Sequence, residues 1–345
     1  MYLIVLPVSG GGFTVQLAII QHLCEVKIVP NVILSSSGGN VAAYVASAAD
    51  WKWSGIERIA SKLSQNLFIK PWSNISLLSL AIGYFKGNVY DKGKGIYEFL
   101  SQYFNEFNIS RYEIWTGTYN KNKQKARLFC NVSSKRTAFD ISCIDYELTQ
   151  SMEPVFADGN IELIIQAGIA SISIPSIVPP QKIFNEEYVD GGVANASPLT
   201  IMQEPILKYL RDTDDSLHII YINSVDLSSP KINPIHNVID NWKQTTHDLI
   251  RFQTVFDRLI GYEILRCQSG NIYKREFNCN YENLKKVKEL YSYIRYSMLE
   301  IYPKDNFDVN ITKFNGDDVL CCIHKAYSNC SCRLWFVINE LLYNI

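Results

Sequence analysis

The sequence predicts an α/β protein in which a mostly parallel central sheet is covered by helices on both faces. Two observations carry this. Strand, loop and helix patterns follow one another twice within roughly the first fifty residues, which favours parallel strands joined by helical crossovers. The chain is also long and apolar enough for a large core, with 345 residues of which 47% are hydrophobic and 19% charged.

The first strand is the β-branched run YLIVLPV (Tyr2 to Val8), broken by the tight loop SGGG (Ser9 to Gly12). FTVQLAIIQHLCE then carries helical periodicity. VKIVPNVIL (Val26 to Leu34) reads as a second strand. NVAAYVASAAD (Asn40 to Asp50) reads as a helix whose small residues allow close packing on the sheet. The stretch Asn66 to Gly87 is rich in large apolar groups but interrupted by Pro71, Asn74 and Gly83, so it reads as buried irregular core or as an apolar flap. EIWTGTYNKNKQKARLFCNVS alternates on both sides of a polar turn, which predicts a hairpin at a sheet edge. IELIIQAGIASISIPSIVPP begins as a helix and ends in a proline-bounded loop, and KIFNEEYVDGG is a strand stopped by glycines. After a strand at Leu217 to Asn223, three-four spacing predicts mainly helix. The expected organisation is a core over residues 1–225 and a mainly helical part over 226–345 that packs on it and is not an independent domain.

Composition excludes some functions. Lys and Arg total 33 against 34 for Asp and Glu, a net charge of -1, so the chain lacks the basic excess of a nucleic-acid surface. Nine scattered cysteines and no basic region before the first apolar run point to reduced thiols in a cytoplasm-like compartment, without a signal peptide. No continuous apolar run reaches the ~20 residues of a transmembrane helix, so the chain is expected in solution or at a membrane surface.

Three local patterns can carry chemistry. In VILSSSGGNVAAYVASA a strand passes through serines and glycines into a helix. Ser37 sits at the apex, with Ser35 two before it, and Gly38 and Gly39 after it as the small residues a sharp turn needs. Alone, the pattern is more often an N-cap or an anion-binding turn than a nucleophile. Gly10, Gly11 and Gly12 leave backbone N–H groups open to an anion, either a phosphate or an oxyanion. No Gly-Lys-Ser/Thr ending follows them, which weakens a nucleotide reading. Asp190, followed by Gly191 and Gly192, is a carboxylate at a strand end, in what is also a common turn. None of His22, His218, His236, His247 and His324 stands where it would face Ser37. The cluster Cys321 to Cys332 lacks paired C-x-x-C spacing, and no metal or other cofactor is expected.

Together, the glycine loop, the serine turn and the late Asp-Gly-Gly resemble the patatin-like phospholipase family in order and interval. The likeness is most specific in IASISIPSIVPPQKIFNEEYVDGGVANASP and covers about the first two-thirds of the chain. It implies a three-layer patatin-like fold with a helical C-terminal extension. It also implies that Ser37 is the nucleophile and Asp190 its base without a histidine, with Gly10, Gly11 and Gly12 as the oxyanion hole. Two positions depart from the family: FTVQ (Phe13 to Gln16) stands where an Arg or Lys and then a Gly are usual, and Ser35 replaces the elbow's first glycine.

The expected function is hydrolysis of fatty acyl esters of phospholipids or related lipids at a membrane surface, with Leu67 to Phe85 as acyl pocket or flap. Acyl transfer to an alcohol, and a catalytically inactive lipid-binding or interaction protein, are the alternatives.

Overall fold

The computed structural model describes residues 1–70, 86–88, 90–92, 95–104, 111–195, 197–224, 248, 252, 255–268, 270–305 and 313–338. In chain order its main elements begin with β1 (Tyr2–Leu6), α1 (Phe13–Glu25), β2 (Val32–Ser36), α2 (Gly38–Ala48), α3 (Trp53–Ala60) and α4 (Ile96–Tyr103). They continue with β3 (Glu113–Asn120), β4 (Lys125–Cys130), β5 (Ser151–Phe156), α5 (Ile161–Ser171), β6 (Gln181–Ile183) and β7 (Glu186–Asp190). After α6 (Gln203–Asp212) and β8 (Leu217–Ile222) come β9 (Asn271–Asn278), α7 (Tyr281–Leu290), β10 (Tyr296–Pro303), α8 (Gly316–Tyr327) and β11 (Cys330–Ile338).

One sheet runs through the molecule in the order β9-β11-β10-β8-β1-β2-β3-β4-β5, with β7 paired to β3 and β6 to β7. β10, β8, β1, β2 and β3 are mutually parallel. Alternate residues of the central strands feed two separate cores. Ile4, Leu6, Ile33, Ile220, Ile222, Leu299 and Ile301 pack with α1, α2, α3, α5, α7 and α8. Leu3, Val5, Val32, Leu34, Ile219, Tyr221 and Met298 pack with α6 and the helical stretch at 255–266. Strands buried on both faces need apolar residues at every position, and this is why YLIVL and VIL are continuous runs.

Helix α1 falls on the run that showed helical periodicity. The second strand is shorter than expected, because residues 26–31 form a turn and Val32 begins the pairing with Leu3. The hairpin of β3 and β4 is present but does not lie at the edge, since β5 pairs with β4 beyond it. KIFNEEYVD is not one strand but a tight hairpin of β6 and β7, turning at Phe184 and Asn185, both with positive φ.

The largest correction concerns the C-terminal part, whose described residues are not mainly helical. β9, β10 and β11 lie in it and extend the central sheet, with β10 pairing parallel to β8 from Leu217 opposite Tyr296 to Ile222 opposite Ile301. YSYIRYSMLEIYP showed three-four spacing because a strand covered on both faces is apolar at most positions, and any period can be read into such a run. Cys321 to Cys332 is divided between α8 and β11, with Cys321 exposed and Cys330 and Cys332 buried. Burial pushes both buried thiols well above the usual range.

Candidate active site

The site forms where two strands meet on one edge of β3. β2 runs out with Ser36 opposite Gly117, and antiparallel β7 takes over the same edge with Asp190 opposite Thr118. Neighbouring residues of β3 therefore bring Ser37 and Asp190 together from 153 residues apart, and Ser37 Oγ donates to Asp190 Oδ2 at 2.6 Å.

Ser37 has φ 54 and ψ -131, a left-handed conformation that residues other than glycine rarely adopt, and it precedes the first turn of α2. The turn is tight enough to exclude side chains after it. A Cβ on Gly38 would lie 2.3 Å from Gly10 O, and one on Gly39 would lie 2.2 Å from Leu6 O. Gly38 and Gly39 thus let the elbow rest directly on the end of β1 and the glycine loop. Behind the elbow, Ser37 N donates to Ser171 Oγ at 3.0 Å, and Ser171 Oγ donates to Gly117 O at 2.7 Å. Ser35, in the place of a glycine, is buried with its Oγ 2.9 Å from Asn40 Oδ1, which also accepts from Thr116 Oγ1 at 3.0 Å.

Asp190 ends β7. Its Oδ1 accepts from Gly192 N at 2.8 Å, and its backbone N–H donates to Ser173 O at 3.0 Å. Gly191 packs so closely on β3 that a Cβ there would meet Gly117 O at 2.4 Å. Ser37 is 2% exposed and Asp190 4%. Burial therefore holds the Asp190 carboxyl up at about 7, against the opposing pull of its hydrogen bonds from Ser37 and Gly192.

Gly10, with φ +52, lines the cavity beside Ser37 and Gly38. Gly11 and Gly12 are buried behind it, and Gly12 N–H is already committed to Ser9 O at 2.8 Å. Gln16, within the segment that departs from the family, is fully buried and neutral. Its Nε2 donates to Pro7 O at 3.0 Å and Ile222 O at 3.2 Å, while its Oε1 accepts from Ser9 Oγ at 3.0 Å. An amide thus ties the glycine loop to the ends of β1 and β8.

Over Ser37 lies a cavity with about 750 Å³ of empty space, its open mouth included, walled mainly by Phe13, Val41, Phe68, Ile96, Ile172, Ile177 and Phe314. A second apolar recess continues from it between α2, α4 and α5, past Val41, Phe68, Ile96 and Ile172 toward Tyr44 and Leu100. Of the expected acyl segment, Phe68 and Ile69 line the cavity, and residues 71–85 lie outside the described residues. His22 and His218 are buried toward the amino ends of the strands, against Tyr327 O and Ser297 Oγ, and His324 is on an exposed turn of α8. His236 and His247 lie outside the described residues.

Ser171, Gln16 and Asn40 were not singled out from the sequence. Ser171 alone had a signal, in the Ala-Ser that closes α5; Gln16 and Asn40 had none, because an amide's partners are set by tertiary packing.

A doubly covered parallel sheet, with a serine at a strained strand-to-helix turn against a buried carboxylate, defines the elbow class of α/β proteins. Within that class, the family model for patatin-like phospholipase matches residues 6–202, and the chain belongs to this family of lipid acyl hydrolases. The match begins at the end of β1 and closes just after the Asp190 turn. Among solved structures the chain is similar to VipD from Legionella pneumophila, at 11% identity and a TM-score of 0.36. The similarity covers 95% of this chain and 65% of that one, so the chain spans about two-thirds of that protein's length. No curated protein matches the chain. Among the described residues no helix is long and apolar enough to cross a membrane, and no group of three or more His, Cys, Asp or Glu side chains is placed to hold a metal ion.

Proposed function

We propose that the protein hydrolyses fatty acyl esters of phospholipids or related lipids at a membrane surface, through an acyl-enzyme on Ser37 with Asp190 as the base. The observation that carries this reading is the 2.6 Å hydrogen bond from Ser37 Oγ to Asp190 Oδ2 on the floor of an apolar cavity. The odd, scattered cysteines support a reducing, cytoplasm-like setting.

Asp190 accepts the hydroxyl proton as Ser37 Oγ bonds to the ester carbonyl carbon. The carbonyl oxygen becomes an oxyanion, facing the N-terminus of α2. Backbone N–H groups of Gly10, Gly11 and Gly38 serve it, while Gly12, committed to Ser9 O, supports the loop. As the tetrahedral intermediate collapses, the C–O bond of the ester breaks and Asp190 returns the proton to the departing alcohol oxygen. Water then attacks the acyl-enzyme, gives its proton to Asp190, and releases the fatty acid as Ser37 recovers the proton. The apolar walls take the acyl chain and keep water from the dyad.

Labelling with a fluorophosphonate probe tests the reading. The wild type is expected to label, Ser37→Ala not at all, and Asp190→Asn at least a hundredfold more slowly, on the scale of losing a general base. Equal labelling of all three proteins, or none in a wild type shown to be folded, overturns it and leaves a lipid-binding role.

A further inference from the structure

We propose that Lys92 binds the phosphate of a phospholipid whose ester carbonyl lies at Ser37, making the cavity selective for anionic lipids over neutral glycerides. The inference rests on the lipid-ester reading of the site. It names one residue that would set the substrate class.

Lys92 is the sole charged side chain among the described residues that line the cavity. It stands on a short ribbon in which Ile69 pairs with Lys92 and Lys70 with Asp91. The ribbon is fastened to the proline-bounded loop, because Tyr90 N donates to Ile177 O at 2.7 Å. Lys92 Nζ donates to Pro180 O and to Gln181 Oε1, each at 2.7 Å. Both acceptors are neutral, and an ammonium group has three donors.

The carboxylates that could neutralise it are engaged elsewhere. Asp91 Oδ2 is 3.2 Å from Lys70 Nζ, and Glu187 Oε2 is 3.0 Å from Lys121 Nζ. Among the described residues no carboxylate lies within ion-pair distance of Lys92 itself. Partial burial draws its pKa down to about 8, and the charges of Asp91 and Glu187, both outside ion-pair distance, offset that burial only in part. A cation held in an apolar wall gains most from an anion that the ligand itself brings. A phospholipid brings one within a few bonds of its acyl esters, and a neutral glyceride does not.

A purely structural role is the competing account, since the two hydrogen bonds also clamp the loop at Pro180. Calorimetric titration with a non-hydrolysable pair separates them: a short-chain dialkyl ether of glycerol 3-phosphate and the same dialkyl glycerol without phosphate. Neither probe needs Ser37 chemistry, so the result stands whether or not the catalytic reading does. Wild type is expected to prefer the phosphate ether by about tenfold to a hundredfold, the scale of a hydrogen bond to a charged group. Lys92→Gln keeps an N–H donor for the loop and should lose that preference, while Lys92→Arg should keep most of it. Equal affinity of wild type for the two ethers overturns the proposal, as does an equal loss on both ethers in Lys92→Gln. So does inorganic phosphate binding as tightly as the phosphate ether, which would mark a free-anion site.

Discussion

At the scale of single residues, the proposed dyad of Ser37 and Asp190 trades stability for chemistry. Asp190 titrates near 3.8 in the unfolded chain and near 7 in the folded one, chiefly because it is buried. The folded protein therefore holds the proton more tightly, and folding stability falls as pH rises from about 4 to about 7. Asp190→Asn keeps one acceptor oxygen, puts an NH2 donor in place of the other, and removes the buried charge. It should raise the melting temperature at pH 8 and much less at pH 4. The gain at the higher pH should reach up to about 4 kcal/mol, because each tenfold change in proton affinity between the folded and unfolded chain is worth roughly 1.4 kcal/mol. Thermal melts at the two pH values check this, and a variant less stable than wild type at pH 8 would contradict the burial argument. The same group sets the working range in the opposite sense. Only ionised Asp190 can take the proton, so kcat/KM for a soluble acyl ester should fall with unit slope below about pH 7. A profile flat from pH 5 to 8 would remove Asp190 from the role of base.

At the scale of elements, α2 does two things with one helical face. Its N-terminal turn presents Ser37, and Val41 and Val45, one and two turns on, continue the same face along the cavity and its apolar recess. Val41 lines both spaces, so a large side chain there should close the way between them. Val41→Trp is expected to lower kcat/KM on decanoyl esters by roughly tenfold or more while acetyl and butyryl esters change little, in line with pocket discrimination by chain length. Equal losses on short and long esters would mean that the substitution disturbed the elbow instead. The tolerance for such changes ends at Gly39, where a side chain would meet the backbone of Leu6 and Pro7 rather than open space.

At the scale of the whole molecule, the residues that carry the chemistry do not form a separable unit. β8 is paired with β1 on one side and with β10 on the other, and α1 packs against α8, where Tyr327 OH donates to Glu25 Oε2 at 2.6 Å. Val319, Ile323 and Leu334 share a core with Ile4 and Leu6. A chain ending at residue 225 would expose the open edge of β8 and the apolar faces beneath α1, a state prone to aggregation. We expect it to be insoluble or protease-sensitive, and the full chain to unfold in one transition by both fluorescence and circular dichroism. A soluble, well-dispersed fragment 1–225 would contradict this.

How much could be read in advance varied with the kind of signal. β1, α1 and the elbow helix were legible because each carries its reason locally: a doubly buried strand is continuously apolar, a helix repeats at three and four, and a sharp turn demands small residues. Ser37, Asp190 and the glycine loop were legible as a set through their order along the chain. The strand β10 was not, because an apolar run covered on both faces looks alike whether it coils or extends, and β9 was not, because it is a largely exposed, polar edge strand. Nor were Gln16, Asn40 and Lys92, whose partners lie at Ile222, Thr116 and Pro180. The sequence by itself determined the family and the layered architecture. Only the tertiary structure decided that β7 ends one residue along β3 from the end of β2, that Asp190 loses its water, and that a lysine bonded to two neutral acceptors stands in the cavity wall. Distance, burial and charge compensation are properties of neighbours in space, and residues far apart in the chain acquire them only when the sheet brings them together.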